Sequence, residues 1–449
     1  MTGPQQCCLE HVSQILRPAR ALRATAPICL RVRGVCGVDV VHERCAGIDI
    51  GKRDVKACIR VPAGGGRWRT EVQTFSTMTN DLLRLRDWLA AEQITTVGME
   101  ATGAYWKPVY YLLENDFETL LLNARHLHNV PGRKSDVMDS EWICRMVQHG
   151  LVRPSFIPPV PIRQLRDLTR YRAEVVRERV REIQRLEKLL EDAGIKLSVV
   201  VADLLGKSSR AMLEALIAGQ RDPEVLADMA LRRMKSKRPD LIEALTGRFE
   251  AHHAFLVRAI LDRIDSATAV IERVSTEVEA RIGSMDAQAE ALATIPGVST
   301  RVAEVILAEI GTDMSRFPSA GHLASWAGVC PGNNESAGRQ LSGKTRPGNA
   351  ALRAALGDAA LAASRTKDTY LAARYRRIAA RRGKKRAIVA IQHSILIAVW
   401  HMMTHGVAYH DLGANHFLER TGRTRQARRL AAQLAKLGYG VELADLEAA

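Results

Sequence analysis

Aromatic side chains are scarce in this chain. Phe, Trp and Tyr make up 5% of its 449 residues, too few for a surface that stacks successive bases on rings. The eight cysteines (Cys7, Cys8, Cys29, Cys36, Cys45, Cys58, Cys144 and Cys330) include no C-x-x-C pair. Neither a zinc site nor a disulfide framework is suggested, and reduced thiols in a cytosolic protein are expected. No uninterrupted apolar run is long enough to cross a bilayer. The apolar stretch Ala387–Met403 is broken by Gln392 and His393, and predicts a buried helix. Acid is outnumbered: 49 Asp and Glu against 65 Lys and Arg leave a net charge of +16. An excess that large points to a polyanion, most simply nucleic acid. Charge alone does not separate DNA from RNA, or a binder from an enzyme.

The length suits two to four domains, and 47% hydrophobic with 25% charged residues is ordinary for a folded protein. Residues 1–43, rich in Arg and Ala, lack the apolar core of a targeting segment and read as a disordered basic extension. From 44 to 160 strand and helix patterns alternate, predicting an α/β domain with a hairpin-bearing sheet. Asn80 or Thr79 is the expected cap of its first helix. A proline-rich boundary, "FIPPVP", follows. Residues 161–286 carry two long amphipathic stretches, about 162–194 and 239–283, read as a coiled-coil-like antiparallel pair, a dimerising arm or an ordinary bundle. From 287 to 405 a mainly α domain is expected. Its "LATIPGVSTRVAEVILAEIG" resembles a helix-hairpin-helix, whose turn amides can meet a phosphate backbone, although Ser299 stands where a glycine is usual. Residues 406–449 read as a basic, peripheral tail.

Why would a basic protein place Asp136 and Asp139 three residues apart at a helix start, where they repel? An ordinary explanation exists, since acids there complement the helix dipole or cap it. Other acids add to the pair. Asp49 interrupts the strand "AGIDIG" between two isoleucines, and Glu100 ends the strand "TTVGME". Strand ends and helix starts can meet at one rim of an α/β sheet. Four carboxylates gathered there would be held by cations. Oxygen-only ligands suit Mg²⁺ or Mn²⁺, and two such ions can clamp a phosphodiester's attacking and leaving oxygens. The order Asp, Glu, Asp-x-x-Asp is that of RuvC-like, ribonuclease-H-type nucleases. Capping of a turn by Glu100 and backbone bonding by Asp49 remain the alternatives.

"GIDIGKRDVKACI", "VGMEATGAYWKPVYYLLE", "NARHLHNVPGRKSDVMDSEWICRMVQHGLVRPSFIPP", "LATIPGVSTRVAEVILAEIG" and "LASWAGVCPGNNESAGRQLSGKTRPGNAALRAAL" together resemble the DEDD transposases of the insertion sequence 110 type, over about Arg44–Met403. The resemblance implies an N-terminal RuvC-like domain, a helical arm and a C-terminal transposase domain. It implies Asp49, Glu100, Asp136 and Asp139 as the divalent-metal (Mg²⁺ or Mn²⁺) set and Ser336 as a serine nucleophile. It also implies a structured noncoding guide RNA and, as partner, double-stranded DNA of the element's ends and target. Ser342 is the alternative nucleophile, because the Ser-Gly often found in the family is Ser-Ala-Gly at Ser336.

By its own residues the serine loop fits phosphate. Gly332, Gly338 and Gly343 let amides approach, and Arg339, Lys344 and Arg346 supply charge. A plain turn is the alternative. The loop holds no histidine, so activation of the serine by metal across a domain or subunit interface is expected. Arg133 and Lys134 are candidate backbone contacts beside the acids. His126 and His128 read as solvated or phosphate-facing. The basic run Arg374–Arg386 is either a solvated helix end or a polyanion contact; at +16 the contact is favoured. A DNA recombinase acting on its own element is therefore expected, in the bacterial cytoplasm at the nucleoid, as a dimer or tetramer, since exchange needs two cleaved partners. The competing readings are a metal-dependent junction nuclease in which water attacks, and a non-catalytic nucleic-acid binder.

Overall fold

The computed structural model describes residues 40–101, 103–123, 139–332, 334–336, 338–417 and 423–442, with backbone only at 334–336, 340–341 and 423–426. The chain divides into two compact units, up to Ser155 and from Phe156 onward.

The first unit is a mixed five-stranded sheet with helices. Strands β1 (Cys45–Ile50), β2 (Asp54–Pro62) and β3 (Trp68–Ser76) are followed by helix α1 (Thr79–Ala91), β4 (Thr96–Glu100), α2 (Trp106–Leu113), β5 (Glu118–Leu122) and α3 (Asp139–Gln148). The sheet order is β3-β2-β1-β4-β5. β2 runs antiparallel to both β1 and β3, and β4 parallel to both β1 and β5. Neither Asn80 nor Thr79 caps α1. Met78 is the N-cap residue and makes no side-chain cap bond. Asp81 in the first turn accepts from the Ser76 amide at 2.8 Å instead, and the Ser76 hydroxyl accepts from Met78 N. The carboxylate thus turns back to the incoming strand.

Among the described residues the second unit is helical but for one hairpin. Helix α4 (Val160–Asp192) and α5 (Ala251–Ile282) form an antiparallel pair. Arg281 meets Gln164, Arg172 meets Ser275, Arg179 meets Thr268, and His253 meets Asp192, so partners descend on one helix as they ascend on the other. The expected second stretch is two helices, since Arg238–Leu245 is separate. The chain breaks at Gly247, where a Cβ would sit 2.6 Å from the Ala193 carbonyl oxygen. The seam is not apolar throughout. Ile162, Leu165, Val278 and Ile282 belong to one core, and Leu186, Leu190, Val257 and Leu261 to another. Between them the buried seam includes Thr169, Arg172 and Glu182. Buried polar partners of this kind fix register, at a cost in stability.

Beyond the pair lie α6 (Asp286–Ala293), α7 (Thr300–Ile310), α8 (Ala320–Ala327), strands β6 (Asn334–Ser336) and β7 (Arg339–Ser342), α9 (Ala350–Arg365), α10 (Tyr370–Arg382), α11 (Lys384–His405) and α12 (Arg423–Lys436). Among the described residues α11 is the one helix long and apolar enough to cross a membrane. As its interrupted pattern implied, it is a core helix. Ile391, Ile395, Leu396 and Val399 are fully buried in the cluster that α7 and α9 also line.

Candidate active site

Two glycines decide where the first unit's acids lie. Gly47 and Gly98 are register partners on the parallel strands β1 and β4. A Cβ on Gly47 would overlap Cys144 N and Ser140 O of α3, and one on Gly98 would overlap the Val147 side chain. Helix α3 therefore lies directly on the backbone of both strands, over the face to which residues 47 and 98 belong. Side chains alternate along a strand, so Asp49 and Glu100, each two residues further on, occupy that same face. The register Gly47↔Gly98 and Ile48↔Met99 runs on to bring Asp49 beside Glu100. Asp139 is the first residue of α3 and Ser140 touches Gly47, so the helix begins over the same end of the strands. Three of the four expected carboxylates are thus brought together. Asp136, Arg133 and Lys134, like His126 and His128, lie outside the described residues.

Electrostatics agree with the approach of Asp139 to Asp49. Burial pushes the Asp49 carboxyl above its usual range, and the Asp139 charge pushes it further. Two neighbours absent from the sequence reading act on it as well. Lys56, its cross-strand partner on β2, lowers it, and Asp54 raises it. The three expected acids do not all approach within 4.8 Å of one another, as expected for like charges. The donor set is oxygen only and carries more negative charge than Lys56 offsets, which fits a hard divalent cation.

A different group, Asp192, His252 and His253, does bring its ligand atoms within 4.8 Å. His253 is already committed. Its Nδ1 accepts from the Glu250 amide at 3.0 Å, so Nε2 carries the proton toward Asp192 Oδ2 at 3.2 Å. With that proton in place Nε2 has no lone pair for a metal; His253 completes the capping box of α5.

Ser336 ends β6, paired with Arg339 across a turn that contains Gly338 at φ +75°. The hairpin's base is clamped. Pro331 bridges Thr345, and Gly332 N donates to Lys344 O at 3.1 Å. At Gly328 a Cβ would lie 2.8 Å from both Arg346 O and Gly348 N. Arg339 and Lys344 are exposed, as the loop reading requires. The acids fall in the first unit and Ser336 in the second.

Residues 46–195 match the DEDD transposase model of the IS110 family, and residues 289–376 match the model described as transposase, IS116/IS110/IS902 family. The chain belongs to the IS110 family of transposases. It is 25% identical over 401 residues to the insertion element IS900 uncharacterized 42 kDa protein of Mycobacterium paratuberculosis, covering 81% of this chain and 96% of that one. It is also 30% identical over 152 residues to the insertion element IS110 uncharacterized 43.6 kDa protein of Streptomyces coelicolor, covering 28% and 36%. The transposase is thus an enzyme that cleaves and rejoins DNA.

One buried acid of the transposase was passed over in the sequence. Glu309, with 0% exposure, accepts from Arg170 at 2.7 and 2.8 Å and from Asn349 Nδ2 at 2.5 Å. Arg166 donates to the Ala308 and Glu309 carbonyls, capping the end of α7. Asn349 is also the N-cap of α9, so this network ties α4 to the exit of the serine hairpin. The signal was an acid inside the apolar run "VILAEIG". Removing one partner of a buried pair costs about 3–5 kcal/mol. Arg170 is 47% exposed and can resolvate, but Arg166, 3.2 Å from the Glu309 carboxylate, is only 14% exposed, so Glu309→Ala is expected to cost about 3–5 kcal/mol by chemical denaturation. A loss below about 1 kcal/mol would show that the network holds nothing.

Proposed function

We propose that the transposase cuts DNA with the Ser336 hydroxyl as nucleophile, assisted by a divalent cation held by Asp49, Glu100, Asp136 and Asp139. The observation that carries the metal half is the convergence of Asp49, Glu100 and Asp139 on one face of the β1–β4 pair, driven by Gly47 and Gly98. The sheet order supports a RuvC-like, ribonuclease-H-type reading, with three antiparallel strands followed by two parallel ones and acids at strand ends. When bound, the cation (Mg²⁺ or Mn²⁺) would neutralise phosphate charge and lower the proton affinity of the attacking hydroxyl. Ser336 Oγ would bond to phosphorus as the P–O bond to the leaving strand end breaks. The serine proton would pass to solvent or base, and the leaving end would take one up. Arg339, Lys344 and Arg346 would hold the phosphate, and the return attack by a new strand end would release Ser336 and reseal the DNA.

Selection of donor and target by a structured guide RNA, action at the nucleoid of the bacterial cytoplasm, and a dimeric or tetrameric assembly belong to the same reading and rest on the family resemblance. So does the helix-hairpin-helix. In α6–turn–α7, Gly297 (φ +87°) packs its backbone onto α9, and Ser299 caps α7 through Val302 N. The phosphate-facing groups of such a hairpin would be the exposed Thr300 and Arg301.

The test incubates the protein with its element's noncoding RNA, end-labelled donor DNA and Mg²⁺, and resolves protein–DNA adducts on a denaturing gel. An adduct absent from Ser336→Ala and from Asp136→Ala, and present in Ser342→Ala, supports the composite mechanism. Metal-dependent cleavage that persists in Ser336→Ala without an adduct would instead establish attack by water.

A further inference from the structure

Two of the transposase's arginine-rich regions differ in how their charge is used. Along α4 and α5 the arginines are largely answered. Arg170 faces Glu309, Arg172 faces Glu304, Arg181 faces Glu178, Arg185 and Arg263 face Glu182, and Arg281 faces Glu277. This surface is neutralised by its own acids.

The corner between α10 and α11 is the opposite case. From Tyr370 to His410 there are eight Lys and Arg and no Asp or Glu, so this stretch carries +8 of the chain's net +16. All eight fall between Arg374 and Arg386. Arg374 is half-buried and bonds Tyr370 Oη at 3.0 Å. Arg376, Arg377, Arg381, Arg382, Lys384, Lys385 and Arg386 are exposed. Arg377 lies over the Phe417 ring, 4.9 Å from its centroid. Of the acids flanking this stretch, Asp368 makes no ion pair with any of these cations, and Asp411 is occupied by Tyr370 N, Gly413 N and Tyr409 Oη. Among the described residues none of the eight cations has an ion-pair partner.

Arg381 and Arg382 suit the C-terminal end of α10, but three other cations work against the fold. Lys384, Lys385 and Arg386 form the first turn of α11, whose N-cap, Gly383, supplies no side-chain acceptor. Cations at a helix N-terminus are disfavoured by the dipole, so the folded protein gains nothing from three of them there. An external anion lying across this turn would relieve both the dipole and the mutual repulsion.

We infer that the α10–α11 corner binds the phosphate backbone of duplex DNA without reading its sequence, as an interaction surface separate from the acid site. The inference rests on the assignment of the chain as a DNA-acting transposase. The corner offers no exposed ring for stacking unpaired bases, since Tyr370 is buried and Tyr375 is packed against the core. That favours a duplex backbone over single strands.

The test measures binding of the full-length protein to random-sequence duplex DNA across a salt series. In Arg381→Ala/Arg382→Ala/Lys384→Ala/Lys385→Ala, the slope of log K against log salt should fall by about 3–4, as each lost phosphate contact removes about 0.9. Affinity at low salt should fall at least about tenfold. The milder Arg381→Gln/Lys385→Gln, chosen in case the fourfold variant misfolds by circular dichroism, should lose about half that slope. The comparison variant Arg181→Ala/Arg185→Ala, on the self-neutralised arm, should change it by less than about 0.5. An unchanged slope in both corner variants, or an equal loss in the arm variant, would overturn the inference. So would a loss confined to duplex RNA or single-stranded DNA run in parallel. Failure of adduct chemistry at Ser336 would leave these binding results untouched.

Discussion

Asp49→Asn is expected to abolish metal-dependent strand cleavage while leaving the metal-free protein as stable as the wild type or more so. The two halves have one cause. Burial, and then the Asp139 charge, raise the Asp49 carboxyl above its ordinary range. A raised folded-state value means that folding favours the protonated form. The associated stability is present at pH below the unfolded-state value, and is lost as pH rises through the folded-state value. At neutral pH the ionised Asp49 is therefore a burden on the empty site. An amide of the same shape removes that burden, although it gives up the attraction of Lys56. With metal present the sign reverses, because the charge is what the cation binds. A cation at one hundred times its Kd stabilises by about 2.7 kcal/mol, and that increment should vanish in Asp49→Asn. Loss of metal-assisted charge stabilisation worth several kcal/mol corresponds to a fall in cleavage rate of about a thousandfold or more. The measurements are melting temperature with and without Mg²⁺, and single-turnover cleavage. A variant that melts lower without metal and keeps its response to Mg²⁺ would remove Asp49 from the site.

The acids were legible because each breaks a local rule. Asp49 interrupts an apolar strand, Glu100 closes one, and Asp139 follows another acid at a helix start. The alternation of strands and helices and the two long amphipathic stretches were legible, since periodicity reports one face at a time, but the sheet order and the choice of an antiparallel pair among the open alternatives were not. What brings the acids together was not legible, although the residues responsible were in plain view. Gly47 and Gly98 each stand two positions before an acid, and a glycine inside a strand signals close backbone approach. Which element approaches is a tertiary fact that no local pattern carries. The same holds for Lys56 and Asp54, whose relation to Asp49 depends on the β1–β2 register. Glu309 was hidden for the converse reason. It sits in a run whose apolar pattern is complete without it, and its partners lie about 140 residues earlier in α4 and 40 later at Asn349. The polar middle of the long helix pair was likewise invisible, because Arg and Glu at seam positions look like solvated charges until a partner is placed opposite.

The glycines give the second large effect, and their environments predict different outcomes. Gly47→Ala places a methyl group against Cys144 N and Ser140 O, which are backbone atoms of α3. No rotamer change relieves that overlap, so the helix must lift from β1. Lifting it opens the packing of Ile143, Cys144 and Val147, all essentially fully buried. Overpacking of a close-packed core costs about 1–3 kcal/mol when side chains can adjust, and a backbone clash that separates two elements belongs at or beyond about 4 kcal/mol. Gly47→Ala should therefore unfold the first unit or strip it of cooperative unfolding, and cleavage with it. In Gly98→Ala the overlap is with side chains only, severe at Val147 and a tight 3.3 Å at Leu122 Cδ1. Shortening the Val147 side chain makes room, so Gly98→Ala/Val147→Ala should recover much of the stability lost in Gly98→Ala, whereas Val147→Ala should not rescue Gly47→Ala. Denaturation of the four variants followed by circular dichroism checks the pattern. Equal rescue of both glycine variants would mean that α3 does not rest on the β1 backbone. The route by which Asp139 reaches Asp49 would then have to be sought elsewhere.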